Sequence, residues 1–408
     1  MSDFITASSY CESVFDGTHD TPKPVNSGYP LVTSKHIVGR TLDISTAYYI
    51  SLEDYNAIQK RSKVSQWDVL FSMIGSVGEV YLEKNEVIPY AIKNIGVFSC
   101  KNEEKARWLY YYLQSPFATT HIKRYLNGAV QKFLSLGALR EFPVLKFNKQ
   151  SSLITKVLSD LDAKIELNNK INQELEAMAK TLYDYWFVQF DFPNADGKPY
   201  KSSGGKMVYN AELKREIPEG WEVKKLGDII KKYADKSTHI ESKNILNEGS
   251  YPVITQDNGD LISGFTNENN PIEDVPLIVF GDHSCTLRYI DFPFFRGADG
   301  TQIMYFEEDL TIYVYLFLQM IITQIPGYGK YERHYKYLKE FNIIIPKAKF
   351  LSEFQKIVEP IFNKISKSRL QNQHLTTLRD WLLPMLMNGQ VASRASATGE
   401  SRASATEE

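Results

Sequence analysis

Between Ser151 and Phe190 the apolar positions advance by alternating steps of four and three residues. They run Ile154, Leu158, Leu161, Ile165, then Asn168 and Asn172, then Leu175, Ala179 and Leu182. Such steps hold one narrow stripe on one side of an α-helix, which is a coiled-coil seam with two amides in its interior. The stripe returns at a constant offset of 200 as Phe354, Val358, Ile361, Ile365, Ser368, Asn372, Leu375, Arg379 and Leu382. Lys156, Lys164 and Gln173 recur at the same offset as Lys356, Lys364 and Gln373. One copy alone reads as a buried amphipathic helix. Two copies in register supply each other's apolar face, so the pair is expected to pack together. About 30 residues at 1.5 Å per residue makes each helix roughly 45 Å long. Pro360 falls in the first turns of the second stretch; it lacks an N–H and clashes with the preceding turn, so regular helix is expected to begin near it.

The segments around these helices have shorter periods. Residues 1–150 read as a mixed α/β domain, with strand-like runs at 29–37, 68–82 and 94–100 and a helix, EKARWLYYYLQSP, stopped by Pro116. Residues 151–192 hold the first long helix, and 193–217 form a linker rich in Gly, Pro, Ser and Lys. Residues 218–349 echo the first domain: YPVIT answers YPLVT, DVPLIVFG answers DVLFSMIG, YVYLFLQ answers WLYYYLQ, and LKEFNII answers LREFPVL. The chain is a tandem duplication of domain and helix, ending in the second helix at 350–391. The last stretch, 392–408, is small, polar and repetitive, and reads as a disordered tail or an appended non-native segment. The fold class is α+β: two repeated mixed α/β domains separated by two long antiparallel, coiled-coil helices.

Composition narrows the setting. At 408 residues and 43% hydrophobic the chain can fill two or three cores. No run of about 18 apolar residues exists, so no membrane partner is expected. Cys11, Cys100 and Cys285 are scattered and form no CxxC pair. Neither a disulfide framework nor a zinc site is expected, and the cytoplasm is the natural compartment. A net charge of −2 does not advertise nucleic acid, so any such surface must come from local clustering.

Four further runs, IPEGWEVKKLGDI, QKFLSLGALREFPV, LRDWLLPMLMNGQV and FDFPNADGKPYKSSGGKMV, carry a resemblance that extends from about Ser13 to Val391. By these runs the chain resembles the specificity subunit of a type I DNA restriction–modification system. It implies two target recognition domains, each reading one half of a bipartite asymmetric site in double-stranded DNA. The helices would set the unspecified gap and dock two modification (methyltransferase) subunits, with restriction subunits joining the complex. No cofactor is expected on this chain; S-adenosylmethionine, ATP and magnesium would be bound by the partners.

Basic residues cluster where this reading needs DNA. Within 121–150, Lys123, Arg124, Lys132, Arg140, Lys146 and Lys149 accompany one acid, Glu141; Lys330, Arg333, Lys336 and Lys339, with His334, stand against Glu332 and Glu340 and are interleaved with Tyr328, Tyr331, Tyr335 and Tyr337. Candidate readers are polar or aromatic residues on loops beside strand ends. In the first domain they are Thr18, His19, Lys35, His36, Gln131, Lys132 and Phe133; in the second, Gln256, Asp257, Asn258, His283, Arg333, His334, Tyr335 and Lys336. Arg and Lys suit phosphate or guanine, Gln and Asn suit adenine. Spacer and docking positions are Ile154, Leu158, Leu161, Ile165, Leu175, Leu182, Ile361, Ile365, Leu375 and Leu382.

Catalytic signatures are missing. There is no GxxxxGK[ST] loop, no Asn-Pro-Pro-Tyr tetrapeptide, and no glycine-rich cofactor loop; SSGGKM reads as a flexible turn. Asp160, Asp162 and Lys164 read as surface charge, and Gly281–Cys285 lacks the third group a nucleophile would need. A reader in a methylation-only or other phage-defence assembly, and a scaffold binding protein or carbohydrate, are the alternatives.

Overall fold

The computed structural model describes residues 3–126, 133–233, 237, 239–257, 259, 261–297 and 300–387. The chain divides into two compact units, Met1–Glu166 with Asn372–Glu408, and Leu167–Gln371. The first opens with β1 (Phe4–Thr6), α1 (Ala7–Tyr10), β2 (Ser13–Asp16), β3 (Tyr29–Val32) and a 3-10 turn at Ser34–His36. Short strands β4 (Ile37–Val38), β5 (Thr41–Leu42) and β6 (Tyr49–Ile50) precede α2 (Leu52–Ser62). Then come β7 (Asp68–Ser72), β8 (Val80–Leu82), β9 (Ala91–Ile92) and β10 (Ile95–Ser99). Helices α3 (Glu103–Leu113), α4 (Pro116–Tyr125) and α5 (Leu136–Arg140), strand β11 (Pro143–Leu145) and the long α6 (Lys149–Tyr183) come next.

The centre of this unit is an antiparallel sheet in the order β2-β10-β7-β8. Strands β7 and β10 are buried at every position, so they read as continuous apolar runs rather than alternating ones. Val69, Phe71 and Phe98 face a core shared with Trp108 and Leu109 of α3; Leu70, Ile95 and Val97 face a second core with Val32, Ile37 and Ile92. Gly96 lets α5 pack closely on β10, because a Cβ there would sit 2.4 Å from the Leu139 side chain, which would have to shift within the core. Side chains of Ser51, Asn102, Ser115 and Ser135 cap α2, α3, α4 and α5 by accepting a backbone N–H three residues on. Pro116 stands at the first turn of α4, so the proline that stops one helix starts the next.

The second unit repeats the scheme. A π-helical turn (Asp184–Val188) leads to the hairpin β12 (Met207–Asn210) and β13 (Arg215–Pro218). Next are β14 (Glu222–Lys225), α7 (Leu226–Ile229), β15 (Tyr251–Ile254), β16 (Gly264–Thr266) and β17 (Leu277–Gly281). The order closes with β18 (Leu287–Ile290), β19 (Phe295–Arg296), β20 (Thr301–Met304), α8 (Thr311–Ile321), α9 (Tyr335–Leu338), β21 (Asn342–Ile345) and α10 (Ala348–Met387). Strand β15 pairs in parallel with β19 as β3 does with β9, and β14 pairs antiparallel with β21 as β1 does with β11. The buried β17 lies between β18 and β20. Residues 193–217, read as a linker, are folded. Phe192 stacks on Trp221 at 5.0 Å and on Tyr200 at 4.6 Å, and the Gly204–Gly205 turn closes against the Tyr200 ring.

The seam keeps its period in burial. Ile154, Leu158, Asn168, Asn172 and Ala179 are buried on α6, as are Phe354, Val358, Ile365, Ser368 and Arg379 on α10. Leu161, Ile165, Leu175 and Leu182, with Ile361, Leu375 and Leu382, are half-buried between them. The helices run antiparallel within each unit. In the first, Ile165 accepts from Asn372 at 3.4 Å and Asp162 from Arg379 at 2.7 Å; in the second, Asn168 donates to Gln371 at 2.9 Å and Glu176 accepts from Arg369 at 2.6 Å. Helix α10 does not begin near Pro360: it starts at Ala348 and runs through the proline. Pro360 is exposed, so the carbonyl of Lys356 that it leaves unpaired has access to water. Phe354, Val358 and Phe362 are buried around it, and about 1.5–3 kcal/mol for each outweighs the roughly 3 kcal/mol that an interior proline costs. Asp162, read as surface charge, is instead sunk in an ion cluster that lets Arg379 occupy a seam position. Among the described residues no helix is long and apolar enough to cross a membrane.

Candidate nucleic-acid interface

In the first unit the loops at one end of the central sheet converge. Strand β2 ends at Asp16 opposite Gly96, the second residue of β10, and Ser72 at the end of β7 pairs with Ile95. At that end Thr18 bridges to Lys93 in parallel register, and Asn94 donates its N–H to the carbonyl of Thr18 at 3.2 Å. His19 is 62% exposed, and its ring is held from both sides. Nδ1 lies 2.7 Å from Asn94 Oδ1 and Nε2 lies 3.1 Å from the buried Asp16 carboxylate, which also takes Arg61 at 3.0 Å. With both nitrogens engaged, what the ring presents is its exposed face, which can stack on a base.

The other candidates of this domain divide. Lys35 is exposed on the turn beside this cluster, and Ser34 donates to the carbonyl of Asn94 at 3.2 Å. Thr18 and His36 are buried, at 6% and 2% exposure, which removes both from direct contact with a ligand. His36 caps its own 3-10 turn: Nδ1 accepts the Thr33 N–H at 2.8 Å, and burial, then the neighbouring Lys35, holds its pKa below the usual imidazole range. Phe133 is 55% exposed and pairs with Ile74 just beyond β7, at the same sheet end. Gln131 and Lys132 lie outside the described residues. The basic run at 121–150 is not one patch. Arg140 donates to the carbonyl of Val14 on the flank of the sheet, and the backbone of Lys146 bonds Asp3 beside the β1–β11 pair.

The second unit gathers its loops at the equivalent place. Beyond β17, the N–H of His283 donates to Gln256 Oε1 at 3.1 Å, and its ring nitrogen Nδ1 sits 3.1 Å from the carbonyl of Glu332. Its ring stacks on Tyr331 at 4.5 Å, and Tyr331 is 85% exposed. Asp282 is the buried splice beneath: its carbonyl accepts from His334 at 2.9 Å and its carboxylate from the backbone of Tyr335 at 2.8 Å. His334 takes the place that Leu134 holds in the first unit and is fully buried, its two ring nitrogens 3.1 and 3.2 Å from the carbonyls of Lys330 and Pro326. It shapes the loop and is not available as a reader. Tyr335 is half-buried, and burial, then Asp282, raises its hydroxyl pKa. Arg333, Lys336 and Asp257 are exposed; Asn258 lies outside the described residues. The Gly281–Cys285 run is this structural turn, with burial, then Asp282, pushing the Cys285 thiol up to about 11.

Sequence reasoning missed some residues at the same corners. Asn94 and Arg61 position His19, and in the second unit Arg296 donates through Nε to His239 at 2.8 Å, next to a parallel bridge between Ile240 and Gly297 that matches Thr18 with Lys93. His239 and Arg296 lie outside the repeated sequence runs and emerge only when the parallel bridges of the two units are aligned. No group of three metal-ligating side chains occurs among the described residues.

The family model for the type I restriction modification DNA specificity domain matches the chain twice, over residues 23–177 and 218–378. The type I restriction enzyme MjaIX specificity subunit of Methanocaldococcus jannaschii is 26% identical over 383 residues, covering 84% of this chain and 83% of that one. The HindI specificity subunit of Haemophilus influenzae is 24% identical over 340 residues, covering 61% and 72%. In fold, the crystal structure of the type I restriction–modification S subunit from M. genitalium is similar with a TM-score of 0.52 at 17% identity, covering 94% of this chain and 95% of that one.

Proposed function

Because the chain belongs to the type I restriction–modification DNA specificity family, whose members are non-catalytic DNA-recognition subunits, we propose that each of its domains reads one half of a bipartite, asymmetric site. Membership implies DNA and the methyltransferase and restriction subunits as partners. One observation carries the half-site assignment. The same sheet end in both repeats, beyond β7 and beyond β17, bears exposed aromatic, imidazole and basic side chains on stitched loops. The readers we assign are His19, Lys35 and Phe133 in the first domain, with Gln131 and Lys132 as neighbours in sequence. In the second they are Gln256, Asp257, His283, Arg333 and Lys336. Thr18, His36, His334 and Tyr335 act by shaping the loops.

The long helices set the gap between half-sites and dock two methyltransferase subunits, one per unit. Support for two copies comes from the residues one step before the seam, about 100° round each helix from it. Val157 and Ile357 are 46% and 47% exposed, and Met178 and Leu378 are 58% and 43% exposed, at identical repeat positions. The first unit thus holds Val157 with Leu378, and the second Ile357 with Met178. S-adenosylmethionine, ATP and magnesium belong to the partner subunits, and the complex works on DNA in the cytoplasm. Alanine at His19, Lys35 and Phe133 should weaken or alter one half-site in DNA-binding and methylation assays with the assembled complex. Equal loss at both half-sites would refute the assignment.

A further inference from the structure

We propose that Arg40 is a positioning residue for DNA specificity: it ties the first domain's β4–β5 turn to both long helices and so restricts the complex to one gap length. This rests on the half-site reading proposed for the two domains. The turn is tight, with Ile37 opposite Leu42 and Val38 opposite Thr41, leaving Gly39 and Arg40 as its two central residues. Both have positive φ, 55° and 73°. Positive φ at both positions is the type I′ hairpin geometry, which asparagine or glycine usually supplies. An arginine there is costly, so its side chain is the feature to explain.

That side chain, 20% exposed, donates one hydrogen bond to Asp380 of α10, from Nη2 at 3.2 Å, and faces Asp162 of α6 as an ion pair only, with Nη1 at 4.0 Å. Arg379 Nη1 bonds Asp162 at 2.7 Å and its Nε bonds Asp380 at 2.9 Å. Tyr111 of α3 donates to the other Asp162 oxygen at 2.6 Å. Two guanidinium and two carboxylate groups balance in charge. The connection between the helices, Arg379 to Asp162, does not pass through Arg40. Without Arg40, Asp162 keeps Arg379 and Tyr111, and Asp380 keeps Arg379, so no buried charge is orphaned. Removing Arg40 therefore leaves the bonds between the helices in place while freeing the turn.

Besides the Tyr111–Asp162 bond, other attachments join the domain to the helices, and Arg40 adds one from the β4–β5 turn. Ile154, Leu158 and Leu383 join the helices to the apolar core of the domain, and farther along α6 Lys84 pairs with Glu166. The Lys84 pair is the more exposed of the two, 35% and 58% against 20% and 50% for Arg40 with Asp380, and it lacks the second guanidinium and second carboxylate of the Arg40 cluster. In the second unit the comparable region is aromatic: Phe362 packs on Tyr289 at 4.9 Å and on Tyr315 at 5.8 Å, and Ser366 donates to Asp291. The ionic anchor belongs to the first domain.

The test uses the assembled methyltransferase complex and a set of duplexes carrying its mapped half-sites at gaps from two pairs shorter to two pairs longer. Arg40→Met should raise methylation at gaps one pair off by roughly tenfold relative to the native gap, the scale of one charge-assisted hydrogen bond, with base preference unchanged in both halves. Arg40→Lys should fall between, and Lys84→Met should shift the ratio by less than about twofold. A wild-type gap ratio in Arg40→Met, or a changed base preference, overturns the proposal. If Arg40→Met does not fold, Arg40→Lys must still relax the gap ratio, and a wild-type ratio in that variant overturns the proposal equally. A wild-type complex with no two-part site would instead defeat the half-site reading on which the proposal stands.

Discussion

Lengthening both helices together should lengthen the recognised gap. The facing positions are fixed by the hydrogen bond from Asn168 to Gln371 at 2.9 Å and by that from Asn372 to the carbonyl of Ile165 at 3.4 Å. Because the pair is antiparallel, four residues are inserted after Asn168 and four after Gln371. Each insertion adds about 6 Å and rotates the downstream part of its helix by roughly 40° beyond one full turn, which keeps the seam facing its partner. DNA rises about 3.4 Å per base pair, so the preferred gap should grow by about two base pairs with both half-sites intact. Inserting two residues at each point rotates the downstream seam by roughly 200° and should expose Leu175 and Leu182, abolishing assembly rather than creating a new gap. Mapping methylated positions in cells that express each variant with its methyltransferase reads the result directly. A four-residue variant that folds and methylates only at the original spacing would show that the helices are not the ruler.

Other consequences are equally measurable. Replacing residues 1–148 by the first domain of another family member should change one half-site and leave the other and the gap unchanged; methylation mapping would expose a change in both. The isolated chain should show no stoichiometric uptake of S-adenosylmethionine in calorimetry, whereas the complex should. Asp68 is buried at the head of β7, and desolvation raises its carboxyl from 3.8 to about 6. The folded state therefore binds this proton more tightly than the unfolded state. The stability contributed is fully present below about pH 4 and is lost as the pH rises through about 6. Asp68→Asn should gain on the wild type by about 2–3 kcal/mol between pH 4 and pH 7.5 in denaturant titrations, and a pH-independent difference would contradict this.

The long helices were legible because their spacing is intrinsic to the α-helix and appears twice, so that chance agreement at one position did not matter. Arg379 can hold a seam position because Asp162 and Asp380 supply its partners, and a pairing across 217 residues has no local sequence signal. Pro360 misled because local rules price the missing hydrogen bond but cannot see Phe354 and Phe362 buried on either side. Among the candidate readers, composition could not tell exposed His19 from buried His36 and His334, since all three are histidines on loops. Their roles depend on which carbonyls and amides the fold brings to the ring. The segment at 193–217 carried the small polar residues of a linker, yet Phe192, Tyr200 and Trp221 anchor it, and aromatic anchors outweigh a loop's composition.

The central claim is that one chain reads two separate sequences at a fixed distance. Its most direct test is a genome-wide map of adenine and cytosine methylation produced by this chain with its own methyltransferase subunits. The account predicts two short, unrelated base blocks separated by a gap of constant length and unspecified sequence. A single uninterrupted motif, or two blocks whose separation varies freely from site to site, would contradict it.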